Sequence, residues 1–246
     1  MIDRNFFKKI RIMDGGMGQE LLARGMEINS TLWSANAILD QKYHKLVIDI
    51  HSDFIKAGAE VIVTNTFTCR KNRLKQNNIE NKFEELNRKA AELAAEVKKK
   101  YPNILIAAGL PPQNLTYEAD DRNESDIIKD FNDQAKILDK YIDFFYFDVL
   151  SSIKEIKSAI LAVKEFNKPY LVGAHISEGT TLPSGEKISD IKNVIDDKIL
   201  GIILACVSPE NFELNINELK NLKIPFGFKL NGFKTTKITE GYTSVF

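Results

Sequence analysis

Seven apolar, β-branched runs recur along the chain: Ile10–Asp14, Val61–Phe67, Ile104–Leu110, Phe144–Leu150, Tyr170–Ile176, Gly201–Val207 and Pro225–Leu230. Continuous apolar runs of this length suit parallel strands buried on both faces, because neither face meets water. The stretches between them carry helical signals. Asp40–Ala57 places Tyr43, Leu46, Val47, Ile50 and Phe54 at helical spacing and stops at Gly58. Ile79–Tyr101 is built from Ala, Glu, Lys and Leu, all good helix formers. Ser152-Ile153-Lys154-Glu155 is a capping box, and Ser208-Pro209 is an N-cap followed by proline at the first helical position. Strand–helix alternation repeated seven times predicts a parallel α/β protein. A doubly wound sheet would show the same alternation, but the first run leads into Asp14-Gly15-Gly16-Met17-Gly18 and not into a G-x-G-x-x-G phosphate turn. The expectation is therefore a TIM-type (β/α)8 barrel. No low-complexity linker interrupts the alternation, so residues 1–246 read as a single domain. Gly179–Lys187, with Gly179, Pro183 and Gly185 close together, reads as a long βα loop.

Composition narrows the functional classes. Thirty-four basic residues balance 34 acidic ones, whereas phosphate backbones need a basic surplus or stripe, so a nucleic-acid partner is not expected. A chain of 246 residues can bury a substantial core, and about 250 is the usual size of a (β/α)8 barrel. Two cysteines, Cys69 and Cys206, are too few for a disulfide framework and suit a reducing compartment. The first residues have scattered charges and no apolar secretory core, and no apolar run approaches the roughly 20 residues of a membrane span. These features predict a cytoplasmic protein without a membrane partner.

In a β/α barrel the chemistry sits at the C-terminal ends of the strands. Asp14 ends the first run, Thr64-Asn65-Thr66-Phe67-Thr68-Cys69 the second, Asp148 lies at the end of the fourth, His175 of the fifth and Cys206 of the sixth. Singly, each has an ordinary structural role: an Asp caps a turn, a Cys packs as a small hydrophobe, and a His is satisfied in the core. Together at one barrel mouth they would suit a small zwitterion or a thiol: carboxylates for an ammonium group, glycine N–H groups for a carboxylate, a thiolate for a soft metal. His44 and His51, on the Asp40–Ala57 helix, read as structural.

Three ordered blocks add a family to this picture. Asp14-Gly15-Gly16-Met17-Gly18-Gln19-Glu20-Leu21-Leu22, Leu32-Trp33-Ser34-Ala35 and Ala57-Gly58-Ala59-Glu60-Val61-Ile62-Val63-Thr64-Asn65-Thr66-Phe67 together resemble the homocysteine S-methyltransferase family. Gly109-Leu110-Pro111-Pro112, Asp143–Asp148 and Cys206-Val207-Ser208-Pro209-Glu210 extend the likeness. The resemblance implies a (β/α)8 barrel in which zinc holds the homocysteine thiolate for attack on a small methyl donor, giving methionine. It implies that Asp14 binds the substrate amino group, with Asp148 sharing that role in place of the family's usual glutamate. Gly15 and Gly16 would let the backbone approach the substrate, and Cys206 would be a zinc ligand; Asn65, Thr66 and His175, from their strand-end positions, are the further substrate-binding candidates. The Leu32-Trp33-Ser34-Ala35 block is closest to the S-methylmethionine-using members.

The chain also departs from that pattern. It contains no Gly-Gly-Cys-Cys block to supply the family's other two zinc cysteines, Ala205 and Val149 replace an asparagine and a threonine, and Lys229-Leu230-Asn231-Gly232 replaces a Pro-Asn-Ser-Gly-type turn. The seven units extend to Leu230, which predicts a barrel incomplete or remodelled at the eighth βα unit. Three readings follow. Zinc could be held by a rebuilt set of Cys206, His175 and Asp148, with Cys69 a weaker candidate. The pocket could bind an amino acid or a methylated small molecule without metal chemistry. Or the exposed barrel edge could be completed by another chain, such as a copy in a homo-oligomer, or covered by the tail Thr235–Phe246.

Overall fold

The computed structural model describes residues 2–29 and 31–231. Its helices and strands run α1 (Met17–Ala23), α2 (Asn36–Leu39), α3 (His44–Lys56), β1 (Val61–Val63), α4 (Lys71–Lys75), α5 (Phe83–Lys100), β2 (Leu105–Leu110), α6 (Glu124–Leu138), β3 (Phe144–Leu150), α7 (Ile153–Val163), β4 (Tyr170–Ala174), β5 (Ile199–Val207), α8 (Pro209–Asn221) and β6 (Phe226–Leu230). The six strands lie in chain order, the topology expected of consecutive βα units. Among the described residues no helix is long and apolar enough to cross a membrane.

Two compact units divide the described residues. The N-terminal unit comprises residues 10–110 and 134–144. Here β1 pairs with β2 in parallel, Val61 opposite Leu105. The predicted first strand, Ile10–Asp14, is reduced to a single bridge between Met13 and Val61, flanked by hydrogen bonds from Glu60 N to Ile12 O and from Asp14 N to Val61 O. Ile10 and Ile12 are 95% and 54% exposed, so this segment lacks the two-sided burial that sustains a parallel strand. The helices supply most of this unit's core: Leu21 of α1, Val47 and Ile50 of α3, and Leu86 and Ala90 of α5 are buried together.

The C-terminal unit comprises residues 2–9, 111–133 and 145–231. β3, β4, β5 and β6 pair in parallel, and β3 to β5 are apolar and almost wholly buried, as continuous apolar runs require. Gly173 in β4 marks a tight packing point: a Cβ there would come within 2.6 Å of Phe147 O and 2.9 Å of the Tyr146 ring. The Ser208 cap holds and the Ser152 box forms in half, because the Glu155 carboxylate accepts from Ser151 N and Ser152 Oγ and not from Ser152 N. Ser152 Oγ accepts from Glu155 N, and Ser208 Oγ accepts from Asn211 N ahead of Pro209. The Gly179–Lys187 loop is pinned by α8, whose Asn211 and Asn215 amides donate to Ser177 O and Gly179 O. The Thr235–Phe246 tail and Gly232, on which the edge-covering and eighth-unit expectations rest, lie outside the described residues.

Candidate active site

The C-terminal ends of β3 and β5 are irregular. Register shifts between Phe147 and Leu150 on the β3–β4 ladder and between Ala205 and Val207 on the β5–β6 ladder. At these shifts Val149 and Cys206 adopt left-handed backbone, φ 68° and 55°. For a β-branched valine this conformation costs about 1–3 kcal/mol. Bulges of this kind turn neighbouring side chains, and Asp148 and Cys206 sit at the two of them.

Asp148 is held by β6. Lys229 Nζ donates to Asp148 Oδ2 at 2.7 Å and stands 5.8 Å from the centroid of the Tyr146 ring. The other carboxylate oxygen, Oδ1, is buried without a hydrogen-bond partner. Burial pushes the Cys206 thiol above its usual range; Asp148 adds to the rise, while the Lys229 charge and a hydrogen bond with Tyr117 oppose it. His175, fully buried just beyond β4, has Nδ1 3.0 Å from Ala205 O and Nε2 3.0 Å from Ser177 Oγ. A carbonyl oxygen only accepts, so Nδ1 carries the proton and Nε2 accepts from the Ser177 hydroxyl. Burial holds the imidazole down to about 4, so it is neutral near pH 7, and the Tyr117 ring lies against it at 4.6 Å.

The N-terminal unit carries the glycine loop. Asp14 Oδ2 accepts from Val63 N at 2.9 Å, and His51 Nδ1 of α3 lies 3.4 Å from the same oxygen. Phe54 of the same helix crosses Gly15, where a Cβ would meet its ring at 2.8 Å, and a Cβ on Gly18 would fall 2.2 Å from the Trp33 indole nitrogen. These two glycines are therefore required by packing. Gly16 has ordinary room for a Cβ. The Ser34 region is stitched to the segment after β1: Asn65 Nδ2 donates to Ser34 O, and Ala35 N donates to Thr68 Oγ1. Thr66 Oγ1 donates to Gly109 O at 2.6 Å and lies 2.9 Å from Thr64 Oγ1, which accepts from Gly109 N.

The profile describing homocysteine S-methyltransferases matches residues 11–244. The chain belongs to the homocysteine S-methyltransferase family. Homocysteine S-methyltransferase 2 of Saccharomyces cerevisiae is 24% identical over 225 residues, 77% of this chain and 64% of the yeast protein. The S-methylmethionine–homocysteine S-methyltransferase BHMT2 of Pongo abelii is 29% identical over 171 residues, 69% of this chain and 44% of that protein. The chain thus spans less than two thirds of the length of these relatives. The metallated form of the homocysteine methyltransferase MmuM from Escherichia coli has the same fold, with a TM-score of 0.83 at 20% identity, covering 93% of this chain and 86% of that one.

Homocysteine S-methyltransferase chemistry invites a test for zinc. Among the described residues no group of three His, Cys, Asp or Glu side chains is placed to hold a metal. The rebuilt set expected from the sequence does not assemble. Both nitrogens of His175 are engaged within the protein, one oxygen of Asp148 is taken by Lys229, and Cys206 alone gives too few donors for a catalytic zinc. Cys69 is fully buried, with its thiol pushed up to about 12. The described residues do not fit the metal.

Two partners in this family member escaped the sequence reading. His51, which reads as structural in the sequence, stands beside Asp14, a contact the sequence does not reveal. Its signal was a polar residue one turn after Val47 on the buried face of α3. Lys229 was noted only as a departure from the family's turn, and its ion pair joins residues 81 positions apart.

Proposed function

We propose that the chain is a homocysteine S-methyltransferase that moves a methyl group from a small donor of the S-methylmethionine type to the thiol of homocysteine. The homocysteine sulfur attacks the methyl carbon. The carbon–sulfonium bond breaks with its electron pair passing to the donor sulfur, the thiol proton is released, and two molecules of methionine result. Asp148 is the carboxylate of this reading for the substrate ammonium group, and Asp14 is the carboxylate of the glycine loop. Gly15 and Gly16 leave backbone approachable, Asn65 and Thr66 hold the glycine-loop unit together, and His175 positions the strand end that bears Cys206. The observation that carries the reading is family membership across residues 11–244. The buried Asp148 Oδ1, which lacks a protein donor, supports it. An unmet buried acceptor costs about 1–3 kcal/mol unless a ligand supplies the hydrogen bond.

Incubation of the full chain with homocysteine and S-methylmethionine, or betaine as the competing donor, is expected to yield methionine with the sulfonium donor. Asp148→Ala is expected to lower kcat/KM for homocysteine by about a hundredfold, the loss of one charge-assisted hydrogen bond in a buried site. No methionine from either donor overturns the activity. A second reading, an amino-acid-binding protein without methyl transfer, rests on the buried Asp148 Oδ1, which suits an ammonium group whether or not transfer follows. Calorimetric binding of homocysteine in chelator with no turnover would establish it.

A further inference from the structure

β3 and β6 are three places apart in the sheet, about 14 Å in a flat one. Yet Asp148 of β3 and Lys229 of β6 meet at 2.7 Å. This part of the sheet must therefore curl, with Tyr146, Asp148 and Lys229 on its concave face. The other face of β6 is occupied differently: Phe228 packs its ring 4.8 Å from Phe212 of α8. Lys229 is thus a charge on the inner face of the sheet, carried by a strand whose residues are only partly covered, opposite a carboxylate that is buried.

The resulting pair is asymmetric. The Asp148 carboxylate is 6% exposed and keeps Oδ1 without a donor, whereas the Lys229 side chain is 41% exposed. An anion and a cation held side by side, the anion with its Oδ1 unmet, match a ligand carrying the opposite two charges on adjacent carbons. An α-amino acid is such a ligand. Its ammonium group can donate to Asp148 Oδ1 while its carboxylate accepts from the Lys229 ammonium, closing a ring of alternating charges. A ligand with an amine alone would place its positive charge near Lys229 without the compensating anion.

We infer that Lys229 is a specificity-determining residue that binds the α-carboxylate of the amino acid substrate, so that the Asp148–Lys229 pair selects a zwitterion over a simple amine. This rests on the proposed reading of Asp148 as an ammonium-binding residue.

The test compares homocysteine with 3-mercaptopropylamine, which lacks the carboxylate. Methionine and 3-(methylthio)propylamine form a second pair that needs no free thiol. Wild type, Lys229→Gln and Lys229→Arg are measured by calorimetry and by thiol methylation. Gln can still donate to Asp148, which avoids stranding the buried carboxylate, and thermal unfolding verifies that each variant is folded. Wild type is expected to prefer each amino acid over its amine by about tenfold or more, a preference that Lys229→Gln abolishes and Lys229→Arg largely restores. In turnover, Lys229→Gln should raise KM for homocysteine by about tenfold with kcat within about twofold, leaving KM for 3-mercaptopropylamine unchanged. A folded Lys229→Gln variant that keeps the wild-type preference overturns the assignment, even if methyl transfer is intact. Lys229-dependent preference for methionine without transfer from any donor overturns the proposed activity and leaves the assignment standing. If wild type binds neither pair, both fall.

Discussion

At the scale of single residues, two buried ionisable groups of the C-terminal unit pull stability in opposite directions. His175 is held at about 4, below its ordinary 6.5, because burial disfavours the imidazolium. The folded state then binds fewer protons than the unfolded state between these values, so its contribution is complete above pH 6.5 and is lost as pH falls through about 4. Glu155, at the start of α7, is raised from 4.5 to about 7, chiefly by burial. Its contribution is complete below pH 4.5 and is lost as pH rises through about 7. Each shift corresponds to about 3 kcal/mol, and the windows overlap, so the two slopes nearly cancel between pH 4.5 and 6.5. Glu155→Gln should unmask His175: chemical denaturation at intervals from pH 4.5 to 6.5 is expected to show stability rising with pH by about 2–3 kcal/mol relative to wild type. A variant whose pH profile parallels wild type would show that one of the groups titrates as it does in water. Neither shift was legible in the sequence. His175 could be placed at a strand end, but its neutrality depends on the Ala205 carbonyl and on burial, which only the packed sheet determines.

At the scale of elements, β4 packs at Gly173 with no room for a side chain. Adding one methyl there meets backbone, Phe147 O, as well as the Tyr146 ring, and backbone cannot move aside as a flexible side chain would. Gly173→Ala is expected to destabilise the fold by about 2–3 kcal/mol, measurable as a lower denaturation midpoint. An unchanged midpoint would mean that β4 slides without cost. Strands were the most legible elements because buried parallel strands announce themselves as unbroken apolar runs. Phe144–Leu150 is reproduced residue for residue, and Tyr170–Ile176 and Pro225–Leu230 are shortened only at their ends. Ile10–Asp14 failed because an apolar run does not reveal how many neighbours it has, and here its pairing is reduced to one bridge with Val61. The bulges at Val149 and Cys206 were also hidden. Nothing in Asp148-Val149-Leu150 or Ala205-Cys206-Val207 marks a left-handed residue, since neither position is the glycine or asparagine that such a backbone prefers.

At the scale of the whole molecule, family membership was readable from short blocks because their residues have interlocking reasons to be where they are. Gly18 makes room for Trp33, Asn65 holds the Ser34 carbonyl, and Val63 N holds Asp14. The ligand set was not readable in the same way. Cys206, His175 and Asp148 occupy neighbouring strand ends as expected, but hydrogen bonds within the unit and the Lys229 ion pair have already engaged two of the three.

The burial of Cys69 also gives this chain a built-in clock. Its thiol is fully enclosed in the helical core of the N-terminal unit and held at about 12, so it presents almost no thiolate near neutral pH. Alkylation requires that core to open, whereas the partly buried Cys206, at a strand end, responds to its immediate surroundings. Timed labelling with iodoacetamide, read peptide by peptide by mass spectrometry, should show Cys69 modified far more slowly than Cys206 in native buffer. In rising urea the Cys69 rate should climb in step with loss of helical signal. Equal native rates would refute that enclosure. With the expected difference, the two cysteines record local and global opening of the same molecule in one experiment, without an added probe.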